Sequence, residues 1–336
     1  MIEVEDLMRR FPAPSRFLAP KRWVHAVNGV TLRIEAGGVL AIVGESGCGK
    51  STLGRMMAGL IPVTGGHIRL DGMDLGTRPD AERQRALRTV QLVHQDPYAA
   101  LNPTRTIGQT LLSPVFAHGF VPRREAHSYV SGILERVGIR PGDVLDRYPH
   151  QLSGGQRQRA LIARALVMKP RFLVADEAVS MIDVSLRIGV LDLLRSLRTD
   201  LGIGIVFITH DFGVARYIAR DGEMAIMYLG RVVEHGRTDD IIYRPAHAYT
   251  QMLISAVPVH DPRYRQRARI LPKSYDVPSS VDLPSGCSFE PRCPFAVERC
   301  RTGRPLLVIE PDVGHPVACH LAEVRGVSPE GAVGQE

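Results

Sequence analysis

Residues 39–52, "VLAIVGESGCGKST", decide how the rest of the chain is read. The apolar run from Val39 to Val43 has the length and composition of a strand buried on both faces, and a glycine-rich turn follows it directly. From Gly44 onward the segment matches G-x-x-x-x-G-K-[ST], placed between a strand and the start of a helix. Glycines at these positions let backbone N–H groups turn inward around phosphate oxygens, and the helix amino terminus adds a favourable dipole. Gly44, Ser46, Gly47, Gly49 and Thr52 are therefore expected to form an anion cradle. Lys50 is expected to reach the β and γ phosphates, and the Ser51 hydroxyl to ligate Mg²⁺. Cys48 belongs to the same loop, with its small side chain expected to face away from the nucleotide.

Three further runs repeat the pattern of an apolar strand ending on polar residues: "RTVQLVHQ" (88–95), "RFLVAD" (171–176) and "GIGIVFITHD" (202–211). Strands of this kind deliver side chains to the carboxyl edge of a sheet. Asp176 is expected to hold Mg²⁺ through its water shell, and Glu177 beside it to orient and deprotonate an attacking water. Gln95 is expected at Mg²⁺ and the water, and His210 at a γ-phosphate. Residues 153–170 predict a helix with Leu161, Ala165 and Val167 or Met168 inward, and residues 184–202 another with a stripe of Ile188, Leu191, Leu194 and Leu197. Residues 224–236 predict a hairpin turning near Gly230. Ser153 and the pair Gly154–Gly155 open the first of these helices and make a second anion site, facing outward. One chain cannot easily apply both anion sites to one phosphate, whereas two chains packed head to tail can.

The chain has 336 residues, more than one core usually holds, so a large domain and a smaller one are expected. Its net charge of +7 could attract nucleic acid, anionic lipid or nucleotide and does not choose among them. The start "MIEVEDLMRRF" lacks the features of a secretory leader, and no apolar run approaches the about 18 residues of a spanning helix. A cytosolic chain that meets a membrane only through a partner is the expectation. No internal repeat is visible.

Taken together, these elements resemble the ATP-binding subunits of ABC transporters, and within them the oligopeptide/dipeptide import group. The order is that of the family: phosphate loop 44–52, Gln95 in "HQDPYAALNP", signature "LSGGQRQR" (152–159), the strand to Asp176 with Glu177, "SMID" (180–183), and His210. The subgroup is suggested by "RPAHAYTQMLISAVP" and by the tail "PSGCSFEPRCPFAVERC". The resemblance implies an α/β fold: a P-loop ABC-type ATPase domain over 1–255, with a mixed sheet, a helical signature subdomain and an amino-terminal antiparallel β part. A proline-rich linker and a small loop-rich cysteine module over 256–336 would follow. It implies ATP hydrolysis coupled to import of peptides or related small solutes, at the cytoplasmic face of the membrane. Its partners would be two permease subunits, a second ATPase subunit in a head-to-tail dimer, and indirectly an extracytoplasmic solute-binding protein, with no nucleic acid.

By the same resemblance Ser153, Gly154, Gly155, Gln156 and Asp183 bear on the nucleotide of the partner chain, and an aromatic near the amino terminus, Phe17 or Trp23, stacks on adenine. Two departures are visible: Ala178 stands where proline is usual and is expected to loosen the turn after Glu177, and "SMID" replaces SALD. A soluble ABC ATPase outside transport, or a catalytically weak partner in a heterodimeric importer, are the alternative readings.

Four of the five cysteines, Cys287, Cys293, Cys300 and Cys319, lie in the tail with intervening gaps of five, six and eighteen residues. Those gaps are unlike the short knuckles of structural zinc, and a reducing compartment disfavours disulfides. Four thiolates suit an iron–sulfur cluster of the four-iron type, and Pro294 after Cys293 is similar to the ending of some ferredoxin motifs. A zinc staple or unliganded thiols are the other readings.

Overall fold

The computed structural model of the chain describes residues 1–14, 21–257, 269–311 and 313–322, the side chain of Val184 excepted. Two antiparallel strands open it, β1 (Ile2–Pro12) and β2 (Trp23–Ile34). The strand β3 (Val39–Val43) follows and runs through the glycine-rich turn into α1 (Lys50–Met57). Strands β4 (Gly65–Leu70) and β5 (Met73–Asp74), helix α2 (Asp80–Leu87) and strand β6 (Val90–Val93) come next. A helical stretch consists of α3 (Pro97–Ala100), α4 (Ile107–His118), α5 (Ala126–Arg136), α6 (Pro141–Val144) and α7 (Gly154–Leu166). The chain then alternates β7 (Phe172–Asp176), α8 (Val184–Leu201), β8 (Gly204–Thr209) and α9 (Phe212–Ile218). The hairpin β9 (Glu223–Tyr228) and β10 (Arg231–Arg237), helices α10 (Thr238–Tyr243) and α11 (Ala248–Ala256), and the short tail elements α12 (Glu298–Thr302), β11 (Val308–Ile309) and β12 (Pro316–Val317) complete it.

Two sheets result among the described residues. One is antiparallel, in the order β2-β1-β4-β5. The other is mixed, in the order β11-β12-β10-β9-β3-β8-β7-β6, with β9, β3, β8, β7 and β6 parallel. The parallel strands explain their own sequences. Val39, Ala41, Val43, Leu173, Ala175, Ile205 and Phe207 join one core with the helices, while Leu40, Ile42, Phe172, Val174, Val206 and Ile208 join a second core with α1 and the antiparallel sheet. Because both faces are covered, every residue of β3, β7 and β8 is buried and the runs read as continuously apolar rather than alternating. Burying one such Leu, Ile or Phe is worth about 1.5–3 kcal/mol, against at most about 1 kcal/mol for an exposed pair such as Arg83–Asp80. The double core therefore fixes the carboxyl edge of the sheet.

The expected stripe on α8 needs one correction. Leu191, Leu194 and Leu197 are buried, but Ile188 is 57% exposed, and Val190 and Leu193 occupy the core instead. Near the amino terminus of the helix Leu186 and Ile188 are both exposed, so the 3.6-residue period continues there on a face that the core does not cover. The tail is tied into the main sheet: β12 pairs with β10 through Val317 and Glu234. No helix among the described residues is long and apolar enough to cross a membrane.

Candidate nucleotide site

The loop between β3 and α1 lies where the backbone of two other segments presses on it. Gly49 has φ 107°, and a Cβ there would stand 2.0 Å from the Ala26 carbonyl oxygen; one on Gly44 would stand 2.2 Å from that of Met227. No side chain fits at either position, so the spacing of the glycines is a steric requirement as well as a means of turning N–H groups inward. Lys50 is buried and donates from Nζ to the carbonyls of Gly44 (2.7 Å) and Glu45 (2.8 Å). Cys48 is buried behind the loop, its Sγ 3.7 Å from Lys50 Nζ, and burial pushes its thiol pKa up despite the nearby ammonium. It does not line the cleft.

That cleft has a volume of about 590 Å³. Its floor is the loop, from Gly44 to Thr52 with Cys48 left out, and its far wall is Gln95, Glu177 and His210. Strands β3, β6, β7 and β8 are neighbours in one parallel sheet, and each brings its last residue or the few that follow to this edge. Ser51 Oγ donates to Asp176 Oδ1 at 2.7 Å. Asp176 is buried, and desolvation holds its carboxyl above the ordinary aspartate range, although the Ser51 hydrogen bond and Arg55 oppose the shift. A hydroxyl and a carboxylate in contact are the oxygen donors that Mg²⁺ takes, so these residues fit that ion.

Glu177 adopts the left-handed region at φ 47°, unusual for a glutamate. Its N–H donates to the Ile208 carbonyl at 2.9 Å, which fixes the turn to β8. Gln95 Nε2 donates to one carboxylate oxygen at 3.0 Å, and His210 Nδ1 lies 3.4 Å from the other. The Ser180 N–H and hydroxyl both donate to the Glu177 carbonyl, at 3.0 and 2.9 Å, so the turn containing buried Ala178 is closed by hydrogen bonds. The loosening expected from the missing proline is not seen in this turn.

Other candidate residues lie elsewhere. Ser153 caps α7: its Oγ accepts from the Gln156 N–H at 3.2 Å, and Gln156 Oε1 accepts in return from the Ser153 N–H at 3.1 Å. Ser153, Gly155 and Gln156 line a separate hollow with Arg140 and Arg159, not the cleft of Lys50. Gly154 is exposed beside them, and exposed Asp183 begins α8 with its carbonyl accepting from Leu186 N–H at 2.9 Å. Trp23 is exposed and does not line the cleft; Val24 and Ala26 of the same strand do. Phe17 lies outside the described residues. Phe11 pairs directly with Val24, so its ring shares the face that looks on the cleft. A sequence reading misses it because Phe11 lies more than thirty residues before the loop, and only strand register makes it a neighbour. Leu253 and Ser280 also line the cleft from segments past residue 237.

In the tail, Cys300 is buried and Cys287, Cys293 and Cys319 are half-buried. Burial, with smaller contributions from Cys319, Cys300 and Cys293, raises the Cys287 thiol to about 12. Four soft thiols in one short module have the donor chemistry of an iron–sulfur site. Among the described residues, however, no three His, Cys, Asp or Glu side chains are arranged to hold a metal ion. The thiols are gathered without being preassembled.

The ABC transporter family pattern matches residues 27–180, and that of the oligopeptide/dipeptide transporter carboxyl-terminal region matches residues 233–300. A probable peptide ABC transporter ATP-binding protein of Sinorhizobium fredii is 44% identical over 323 residues, covering 96% of this chain and 90% of that one. The oligopeptide transport ATP-binding protein of Escherichia coli K12 is 40% identical over 325 residues, with 95% of each chain covered. A glutathione import ATP-binding protein of Pectobacterium atrosepticum is 43% identical over 272 residues, which is 81% of this chain and 43% of that one. Among solved structures, a dimeric bacterial ABC transporter cassette superposes with TM-score 0.62 at 26% identity, over 71% of this chain and 99% of the cassette.

Proposed function

This chain belongs to the ATP-binding proteins of ABC transporters, and from that premise we propose that it hydrolyses ATP to drive import of peptides or closely related solutes through membrane permease subunits. The observation that carries the reading is the meeting, in one cleft, of Lys50, Ser51, Gln95, Glu177 and His210, with Asp176 hydrogen-bonded to Ser51, from the ends of four parallel strands. In this mechanism the N–H groups of the loop and the start of α1 receive the phosphates, and Lys50 exchanges its two carbonyl partners for phosphate oxygens. Ser51 and Asp176 hold Mg²⁺, with Gln95 beside them; when bound, the ion neutralises charge on the β and γ phosphates. Glu177 accepts the proton of the attacking water, held in place by Gln95 and His210. Phe11 is the stacking candidate for adenine, in place of Trp23.

Ser153, Gly154, Gly155, Gln156 and Asp183 act on the ATP of a second ATPase subunit. Support comes from their separation from the cleft of their own chain and from the apolar side chains exposed next to them, Met181, Leu186 and Ile188. An unpacked apolar face beside an anion-binding helix terminus suits a chain-to-chain contact. The subunit then sits at the cytoplasmic face of the membrane, with a solute-binding protein acting on the outer side. The cysteine module from residue 256 onward is the candidate site of a [4Fe–4S] cluster on Cys287, Cys293, Cys300 and Cys319, on the strength of its donor set.

The test is Glu177→Gln in the chain assembled with its permease subunits. Solute-stimulated hydrolysis should fall by about a hundred-fold or more, while ATP binding persists, because the variant keeps the size of the side chain and loses the base. Wild-type turnover in that variant would remove Glu177 from the mechanism, and failure of the chain to copurify with any permease would remove the transport reading.

A further inference from the structure

A carboxylate stands inside the phosphate cradle, and an arginine from the cysteine module neutralises it. Glu45 is the second residue of the loop and lines the cleft. Arg292, one residue before Cys293, is 3% exposed and grips it with both terminal nitrogens, Nη1 to Oε2 at 2.7 Å and Nη2 to Oε1 at 2.9 Å. The guanidinium itself is fixed in place. Its centre lies 5.7 Å from the ring centroids of Tyr228 and of Phe289, and its Nε donates to the Ser274 carbonyl at 3.4 Å. Phe289 is fully buried against Tyr228 and Tyr249, and the Tyr249 hydroxyl accepts from the Glu45 N–H at 2.8 Å. Glu45 is thereby held by its side chain from the tail, by its N–H from α11, and by its carbonyl from Lys50.

A free carboxylate at this place would repel the triphosphate and compete with it for Lys50. A bidentate arginine cancels the charge and fixes the rotamer, with less freedom than a lysine would leave. We propose that Arg292 is a positioning residue for ATP binding: by neutralising and orienting Glu45 it makes the phosphate loop receptive, and so couples the cysteine module to nucleotide affinity. The inference rests on ATP binding in this cleft and extends it to a residue 247 positions away in sequence.

Equilibrium dialysis with labelled Mg–ATP on the purified full chain, together with kcat and KM in the assembled transporter, tests it. Arg292→Gln should raise the Kd and KM for ATP about ten-fold, with kcat at saturating ATP changed less than about two-fold. The double variant Glu45→Gln/Arg292→Gln should return the Kd to within about three-fold of wild type, because the charge goes with its partner. A packing role alone would leave the double variant as weak as the single one. Arg292→Lys, which keeps the charge and the fold, should lie between, about three-fold weaker than wild type. Equal binding by wild type and Arg292→Gln, or no recovery in the double variant, overturns the role of Arg292. Lack of ATP binding by the wild type is a separate result, and it would overturn the nucleotide reading beneath it.

Discussion

Asp176 shows how one side chain can serve the site at the expense of the fold. Its burial at the end of β7 raises its pKa, so the folded chain binds this proton more tightly than the unfolded chain does. An acid whose pKa is raised on folding costs stability as pH climbs past its unfolded value, and the cost is complete above its folded value. In the absence of nucleotide, Asp176→Asn should therefore melt about 2 °C higher than wild type at neutral pH, with the difference shrinking as pH falls towards the ordinary carboxylate range. The same variant should lose the thermal shift that Mg–ATP gives the wild type, because an amide replaces the anionic oxygen ligand. Melting curves across pH, with and without Mg–ATP, check both halves. A wild type that equals or exceeds the variant at neutral pH would show that Ser51 and Arg55 outweigh burial.

Among the elements, α1 and α7 carry the same chemistry, an amino terminus presented to an anion, but they point to different places. The start of α1 faces the cleft of its own chain, and the start of α7 lies in a separate hollow near α8. Complementation between chains follows. In an assembly of two copies of this chain, when Lys50→Ala chains are mixed with Gly155→Asp chains, a mixed dimer keeps one site with both halves intact, whereas each single-variant dimer keeps none. ATP occlusion should therefore reappear on mixing, at up to about half of the wild-type amount per mixed dimer. Failure of occlusion to return would break the cross-chain assignment of Ser153 and Gly155. Exposed Ile188 belongs to this scale as well. It satisfies the helical period of α8 and is still largely exposed, as expected of a residue at a subunit contact.

In the molecule as a whole, the tail is fastened to the ATPase core at separated places, among them the His25 N–H, which donates to the Ser280 carbonyl at 2.9 Å. Arg292 grips the phosphate loop, and Glu234, fully buried on β10, accepts from the Ala246 and His247 N–H groups at 2.6 and 3.1 Å and pairs with His315 Nε2 at 2.8 Å. Its apolar contribution is small, a few residues such as Phe289 and Val317, so a cross-link among the thiols would add what the core lacks. Anaerobic purification of the full chain should yield about four iron and four labile sulfide per chain. Stoichiometric zinc without sulfide would replace the cluster by a structural staple, and a metal-free, folded tail would remove both.

Much of this was legible in the chain itself. The apolar runs of β3, β7 and β8, the glycine spacing before Lys50 and the order of Gln95, Ser153, Asp176, Glu177 and His210 are local patterns, and local patterns record strand burial, turn geometry and helix capping directly. Register and long-range contact are not local. Phe11, rather than Trp23, is paired with cleft-lining Val24 because of how β1 pairs with β2, and a one-residue shift in that pairing would exchange the faces. Glu45 looks like a spacer in the loop until the tail brings Arg292 to it, because an ion pair is made by two segments whose separation in sequence sets no limit on their approach in space.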